Sequence, residues 1–284
     1  MRVWHLNCGT MAPRGGRWIN GEGGLCARAR LVCHVLVVET EAGLVLVDSG
    51  YGEADVRGRS APRRARLRAM GAQLKPAETA VEQLAGLGFA RDDVRHVILT
   101  HLDFDHAGGL ADFPRAEVHL LADEHEAATA PRTFKERMRY DPRTWSHRPR
   151  WALHRADGER WFGFEAVRQL QGLPPELLLL PLAGHTRGHA CVAVETDDGW
   201  LLHAGDAYFF AGEMNPQHPW CTPGLSAFQR AFAHDDERRL HNQERLRELV
   251  ASRGDAVRVF SAHDPSELAA LQVSSPMNGR APRP

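Results

Sequence analysis

Two histidines and two aspartates fall within six residues, at His101-Leu102-Asp103-Phe104-Asp105-His106. Imidazole and carboxylate are the ligands that suit zinc, iron and manganese. The run follows Val94 to Thr100, which reads as a buried strand. A loop leaving such a strand can turn several side chains toward one point, and Gly108-Gly109 then lets the backbone pass closely. One loop cannot close two metal sites, so further ligands must come from elsewhere. Candidates stand at the exits of other predicted strands: His185 and His189 in Gly184-His185-Thr186-Arg187-Gly188-His189, Asp206 in His203-Ala204-Gly205-Asp206, and His263 beside Asp264. No Gly-x-Ser-x-Gly elbow or Gly-Lys-Ser/Thr phosphate loop offers a different chemistry.

The elements that must position these residues are mostly short and β-branched. Leu31 to Thr40 and Leu44 to Asp48 read as two strands of a hairpin turning at Glu41-Ala42-Gly43. The spacing of Val81, Leu84 and Leu87 predicts a helix over 76–87, ended by Gly88. Glu117 to Leu121, Leu177 to Leu182, Cys191 to Glu195, Trp200 to His203 and Val257 to Ser261 read as strands. Asp235-Asp236 can cap a helix running to about Ser252. Strands in series with helices between some of them predict a layered α/β or α+β architecture. Two segments stand apart. Residues 57–68 hold six arginines, which read as a solvated face or as a collar for an anionic substrate. Residues 131–165, rich in Arg, Trp and Pro, read as a lid or insert, or as a homo-oligomer contact. Trp145 and Trp151 in this segment are expected to form an apolar wall of the site.

Length and composition narrow the function classes. The chain has 284 residues, 43% hydrophobic and 25% charged, which excludes global disorder. Its 35 basic and 36 acidic residues leave a net charge of −1, which argues against nucleic acid as a partner. No apolar run approaches the roughly 20 residues of a membrane span, and the start lacks a signal-peptide core, so a cytoplasmic location is expected. Five cysteines without a Cys-x-x-Cys pair read as reduced thiols, Cys8 among them as a buried one.

In order along the chain, Val47-Asp48-Ser49-Gly50, the His-x-Asp-x-Asp-His run, Gly-His-Thr-x-Gly-His, Gly205-Asp206 and His263 resemble the motifs of the metallo-β-lactamase superfamily. The resemblance implies one domain over 1–284, an α+β, four-layer αβ/βα sandwich. It implies two divalent metal ions: His101, Asp103 and His185 around one, Asp105, His106 and His263 around the other, and Asp206 bridging. Asp48 would orient a ligand histidine, and His189 would support the site without ligating. Zinc is the expected metal. The family usually carries histidine where Asp103 stands, and a carboxylate there shifts preference toward iron or manganese. Two such metals a few ångströms apart lower the pKa of a bridging water to roughly 7, and Asp105 would shuttle its proton.

The wording of the first motif is most similar to the N-acyl homoserine lactonase group, with glyoxalase II-like enzymes as broader kin. The implied reaction is hydrolysis of a small lactone or carboxylic ester. The same fold leaves open a phosphodiester or nucleic-acid processing hydrolase, an iron-dependent oxygenase, or a metal-binding protein without turnover. Lactonases carry a tyrosine shortly after the bridging aspartate, and Tyr208 is the candidate for that role.

Overall fold

The computed structural model describes residues 1–58, 60–156, 159–167 and 170–274. Side chains alternate across a strand, so each apolar strand here supplies two faces, and the chain covers both. A six-stranded sheet runs in the order β1 (Arg2–Met11), β2 (Leu31–Thr40), β3 (Gly43–Val47), β4 (Val94–Ile98), β5 (Glu117–Leu121) and β6 (Arg150–His154). Its first three strands are antiparallel, and β3 to β6 are parallel. A hairpin of β7 (Arg160–Trp161) and β8 (Phe164–Glu165) leads to a second sheet. This sheet comprises β9 (Leu177–Pro181), β10 (Ala190–Thr196), β11 (Gly199–His203) and β12 (Val257–Phe260), in the order β12-β11-β10-β9.

The burial pattern makes the layers explicit. Leu36, Val38, Val45, Val47 and Ile98 pack across the gap between the sheets onto Leu177, Leu179, Val192 and Val194. On the outer face of the first sheet, Val97, Leu99, Val118 and Leu120 cluster with Leu84 and Ala127 from the helices Ala80–Gly86 and Ala122–Thr129. On the outer face of the second, Leu178, Leu180 and Leu202 cluster with Leu246 and Leu249 of the helix Asp236–Arg253. Fully burying one such leucine contributes about 1.5–3 kcal/mol. The result is the expected α+β, four-layer αβ/βα sandwich.

Several boundaries differ from expectation for local reasons. The helix expected over 76–87 splits. Pro76–Glu78 is a single 3-10 turn, and extended Thr79 then caps the α-helix by accepting from the Glu82 N–H. Residues 131–165 are more regular than their composition implies. Thr133 and Glu136 form a reciprocal capping box that starts the helix Phe134–Arg139. β6 then pairs in parallel with β5 and closes the sheet edge. Trp145 and Trp151 pack against the core of the first sheet, so they do not form the expected wall of the site. Among the described residues no helix is long and apolar enough to cross a membrane.

Candidate metal centre

The strand β4 delivers Thr100 and His101 to the rim of the sandwich, where Asp48 anchors them. The Thr100 backbone N–H donates to Asp48 Oδ1 at 2.8 Å, and its hydroxyl reaches both carboxylate oxygens. Asp48 Oδ2 in turn accepts from His106 Nδ1 at 2.8 Å. Burial alone would raise the Asp48 pKa, but His106 outweighs it and holds the carboxyl below its ordinary value. This bond fixes the His106 proton on Nδ1 and leaves the Nε2 lone pair free to point inward.

Other histidines are held in the same sense. His263 follows β12, and its Nδ1 donates to the Val32 carbonyl at 2.7 Å. Gly205 turns the chain after β11 at φ +53, in the left-handed region. A Cβ there would lie 2.6 Å from His189 Nε2, so glycine is required. The turn brings the Asp206 N–H to donate to His189 Nε2 at 2.9 Å, while His189 Nδ1 donates to the Leu182 carbonyl at 3.0 Å. Both His189 nitrogens are therefore engaged, and this residue positions Asp206 instead of facing the cluster.

The inward nitrogens converge on the aspartates. His106 Nε2 and His263 Nε2 each lie 3.0 Å from Asp206 Oδ1. His185 Nε2 lies 3.1 Å from Asp103 Oδ2 and 3.2 Å from Asp206 Oδ2. His101 Nε2 is 3.4 Å and 3.6 Å from the same two oxygens. Asp105 Oδ2 is 3.7 Å from His263 Nε2. The structure thus gathers His101, Asp103, Asp105, His106, His185, Asp206 and His263 at one point.

The arrangement fits cations better than protons. His101 Nε2, His106 Nε2, Asp103 Oδ1 and Asp206 Oδ1 are buried with no hydrogen-bond partner. An imidazole lone pair and a carboxylate oxygen 3.0 Å apart, neither donating, would repel unless a cation sat between them. Two sets of ligand atoms lie close enough to share an ion: His101, Asp103, His185 and Asp206, and His106, Asp206 and His263. The carboxylates draw positive charge to the cluster, whether carried by a proton or a metal. Burial would lower the His106 pKa, but the Asp206 and Asp48 carboxylates outweigh it and hold it well above its ordinary value. Burial, reinforced by the Asp206 and Asp103 carboxylates, pushes Asp105 up.

Some neighbours escaped sequence reasoning. Cys33 on β2 forms a further ligand-like group with Asp105 and His263. Its thiol is buried, and burial followed by the Asp105 charge pushes its pKa well above the ordinary range. Glu124 is fully buried and accepts from the Leu102 N–H, the Gly188 N–H and the Tyr140 hydroxyl. It therefore staples the 101–106 loop to the 184–189 loop. Phe209 stacks on the His263 ring at 4.6 Å between centroids. A fully apolar or charged residue in a short element carries no sequence signal for such roles.

Arg139, from the 131–165 segment, donates from Nη1 to Asp103 Oδ2 at 2.8 Å and contacts His185 Nε2 at 2.9 Å. Burial would raise the Asp103 pKa, but Arg139 outweighs it and holds the carboxyl well below its ordinary value. A fixed positive charge here competes with a metal for the same two groups. Arg139→Gln is therefore expected to tighten zinc binding about tenfold or more. Competition with a coloured chelator measures this, and unchanged affinity would mean that the guanidinium swings clear at no cost.

Other expectations end elsewhere. Tyr208 is fully buried, and its hydroxyl donates to Glu267 Oε1 at 2.8 Å. It does not join the cluster, because its place after Asp206 directs it into the second core, toward the C-terminal helix Pro265–Ser274. Cys8 is buried in the first core, with Gln83 Nε2 3.5 Å from its sulfur. Of the six arginines at 57–68, Arg63 bridges Asp55 and Asp141, and Arg57 pairs with Glu53 and Glu82. Arg59 lies outside the described residues.

Comparison with known proteins gives a consistent result. The sequence model described as the Metallo-beta-lactamase superfamily matches residues 28–254. A probable metallo-hydrolase of Mycobacterium tuberculosis is 39% identical over 269 residues, covering 93% of this chain and 81% of the relative. An N-acyl homoserine lactonase of Bacillus thuringiensis is 26% identical over 242 residues, covering 82% of this chain and 80% of the relative. Among solved structures, an N-acyl homoserine lactone hydrolase with N-hexanoyl-L-homoserine at its catalytic metal centre superposes with a TM-score of 0.69. It is 22% identical, and the match covers 95% of each chain.

Proposed function

Because the chain belongs to the metallo-beta-lactamase superfamily, we propose that it is a binuclear metal-dependent hydrolase of a small lactone or carboxylic ester. The observation that carries this reading is the set of partnerless inward nitrogens and oxygens around Asp206. His101, Asp103 and His185 would hold one cation, and Asp105, His106 and His263 the other, with Asp206 shared. Bound there, divalent zinc would supply an acidified water as nucleophile and Lewis-acid polarisation of the carbonyl.

The remaining chemistry falls to the chain itself. Asp48, the Val32 carbonyl and His189 lock the histidine tautomers and the Asp206 backbone, so no reorganisation is needed during reaction. Asp105 is the proton carrier. Its carboxylate lies beside the ligand nitrogens, with Oδ2 3.7 Å from His263 Nε2, so it would take a proton from the nucleophile and return it to the departing alkoxide. Tyr208 takes no part in this scheme, since its hydroxyl is committed to Glu267. The Phe209 ring over His263, with Phe228 5.6 Å beyond, gives an apolar flank for an acyl group. The ion pairs of Arg57 and Arg63 leave little support for a nucleic-acid substrate.

The test is a hydrolysis screen of N-acyl homoserine lactones, other γ-lactones and aryl esters with zinc-loaded protein. Turnover of at least one class is expected, lost on complete chelation and restored by zinc. Turnover that survives complete removal of metal would refute the reading.

A further inference from the structure

The inner face of the first sheet is mostly aliphatic, and apart from the His5–His34 pair on β1 and β2 it carries a polar group on β4 and β5. There His96 on β4 and Glu117 on β5 are direct register partners, and His119 lies two residues beyond Glu117 on the same face. His96 Nδ1 is 3.0 Å from His119 Nε2 and 3.9 Å from Glu117 Oε2. All three ligand atoms fall within 4.8 Å of one another. We propose that His96, Glu117 and His119 form a separate metal site that takes a zinc ion.

Four features support it. Two imidazoles and a carboxylate match a zinc site with one position left for water. Zinc–nitrogen bonds of about 2.0–2.1 Å in a tetrahedron hold their nitrogens a little over 3 Å apart, so the observed spacing needs only a small shift. The neighbouring ring also sets the right tautomer. His119 Nδ1 lies 3.0 Å from His154 Nε2 on β6. His154 can accept the Nδ1 proton, leaving the His119 Nε2 lone pair facing His96 and Glu117, as a metal-bound histidine requires. Finally, there is a path inward. His119 is completely buried, whereas the Glu117 side chain retains 29% exposure and His96 11%.

The location separates this site from the candidate centre. His96 is the middle residue of β4, Glu117 the first and His119 the middle residue of β5, whereas the catalytic candidates follow the C-terminal end of β4. A zinc ion here would cross-link β4 to β5, and through His154 it would brace the edge strand β6. Its binding does not depend on the hydrolytic reading, and its test uses metal content instead of turnover.

The 284-residue chain is equilibrated at micromolar free zinc, desalted and assayed for zinc per chain. His96→Gln and Glu117→Gln are each expected to lose one zinc per chain relative to wild type, while keeping the zinc that Asp206→Ala loses. His154→Ala should weaken the site about 10–100-fold by removing the partner of His119 Nδ1. In the Asp206→Ala chain, cobalt(II) should give a tetrahedral absorption band that His96→Gln abolishes. Equal zinc in wild type, His96→Gln and Glu117→Gln, all with unchanged circular dichroism, would overturn the proposal. So would an Asp206→Ala chain whose cobalt spectrum ignores His96→Gln. In that case the three rings are a hydrogen-bonded ladder and nothing more.

Discussion

Asp206→Ala is expected to lower lactone or ester turnover by about 10³-fold or more, with loss of metal from both halves of the candidate centre. Its carboxylate is the point on which the histidine nitrogens converge: His106 and His263 at 3.0 Å, His185 at 3.2 Å and His101 at 3.6 Å. Lewis-acid stabilisation contributes several kcal/mol to such a transition state, and each 1.36 kcal/mol is about tenfold in rate. Losing the shared ligand forfeits most of that. The measurement pairs initial rates with metal content. Near-wild-type turnover with full metal content would place the reactive centre elsewhere.

Acid should destabilise the fold well above the usual carboxylate range. His5 and His34 lie between the sheets, with their rings joined Nδ1 to Nε2 at 2.8 Å. Burial, followed by His203 and Arg258, lowers His5 from 6.5 to about 3. Burial, followed by His5 and His203, holds His34 well below its ordinary value. A histidine with a depressed folded pKa binds its proton only on unfolding. Stability is therefore fully present above about pH 6.5 and is lost as pH falls toward about 3. At about pH 4.5 the loss from His5 alone is about 3 kcal/mol, two pH units at about 1.4 kcal/mol each. Denaturant unfolding of metal-free protein across this range should show the decline. His5→Gln, which cannot take the proton, should reduce the slope by about one proton. Equal slopes in the two proteins would mean that His5 stays accessible to protons in the folded state.

The fold was legible because its signals are local. The unbroken apolar run Leu177 to Leu180 marks β9 as a strand covered on both faces without knowledge of distant residues, and the structure puts Leu177 and Leu179 between the sheets and Leu178 and Leu180 outside. The Asp235 cap, whose side chain accepts from the Arg238 N–H, marks the start of the long helix unaided. Less legible was the 131–165 segment. Arg150 to His154 has weak strand character by itself and becomes β6 only because β5 presents a free edge to it.

Asp206 and the six residues gathered around it were all named from sequence, because histidine and aspartate at strand exits cluster in motifs and their order along the chain resembles that of a known family. Types and order along the chain thus picked out candidate ligands that the fold brings together. Tertiary structure alone decided what surrounds them. Whether Tyr208 faces the cluster depends on its direction after a turn, and here its hydroxyl runs to Glu267 instead. Arg139 meets Asp103 across 36 residues, and Glu124 reaches Gly188 across 64. Such pairings depend on how helices dock, which no local spacing encodes. The His96–His119–His154 row has the same origin. Each histidine alone is an ordinary strand residue, and only the parallel register of β4, β5 and β6 places their nitrogens 3.0 Å apart.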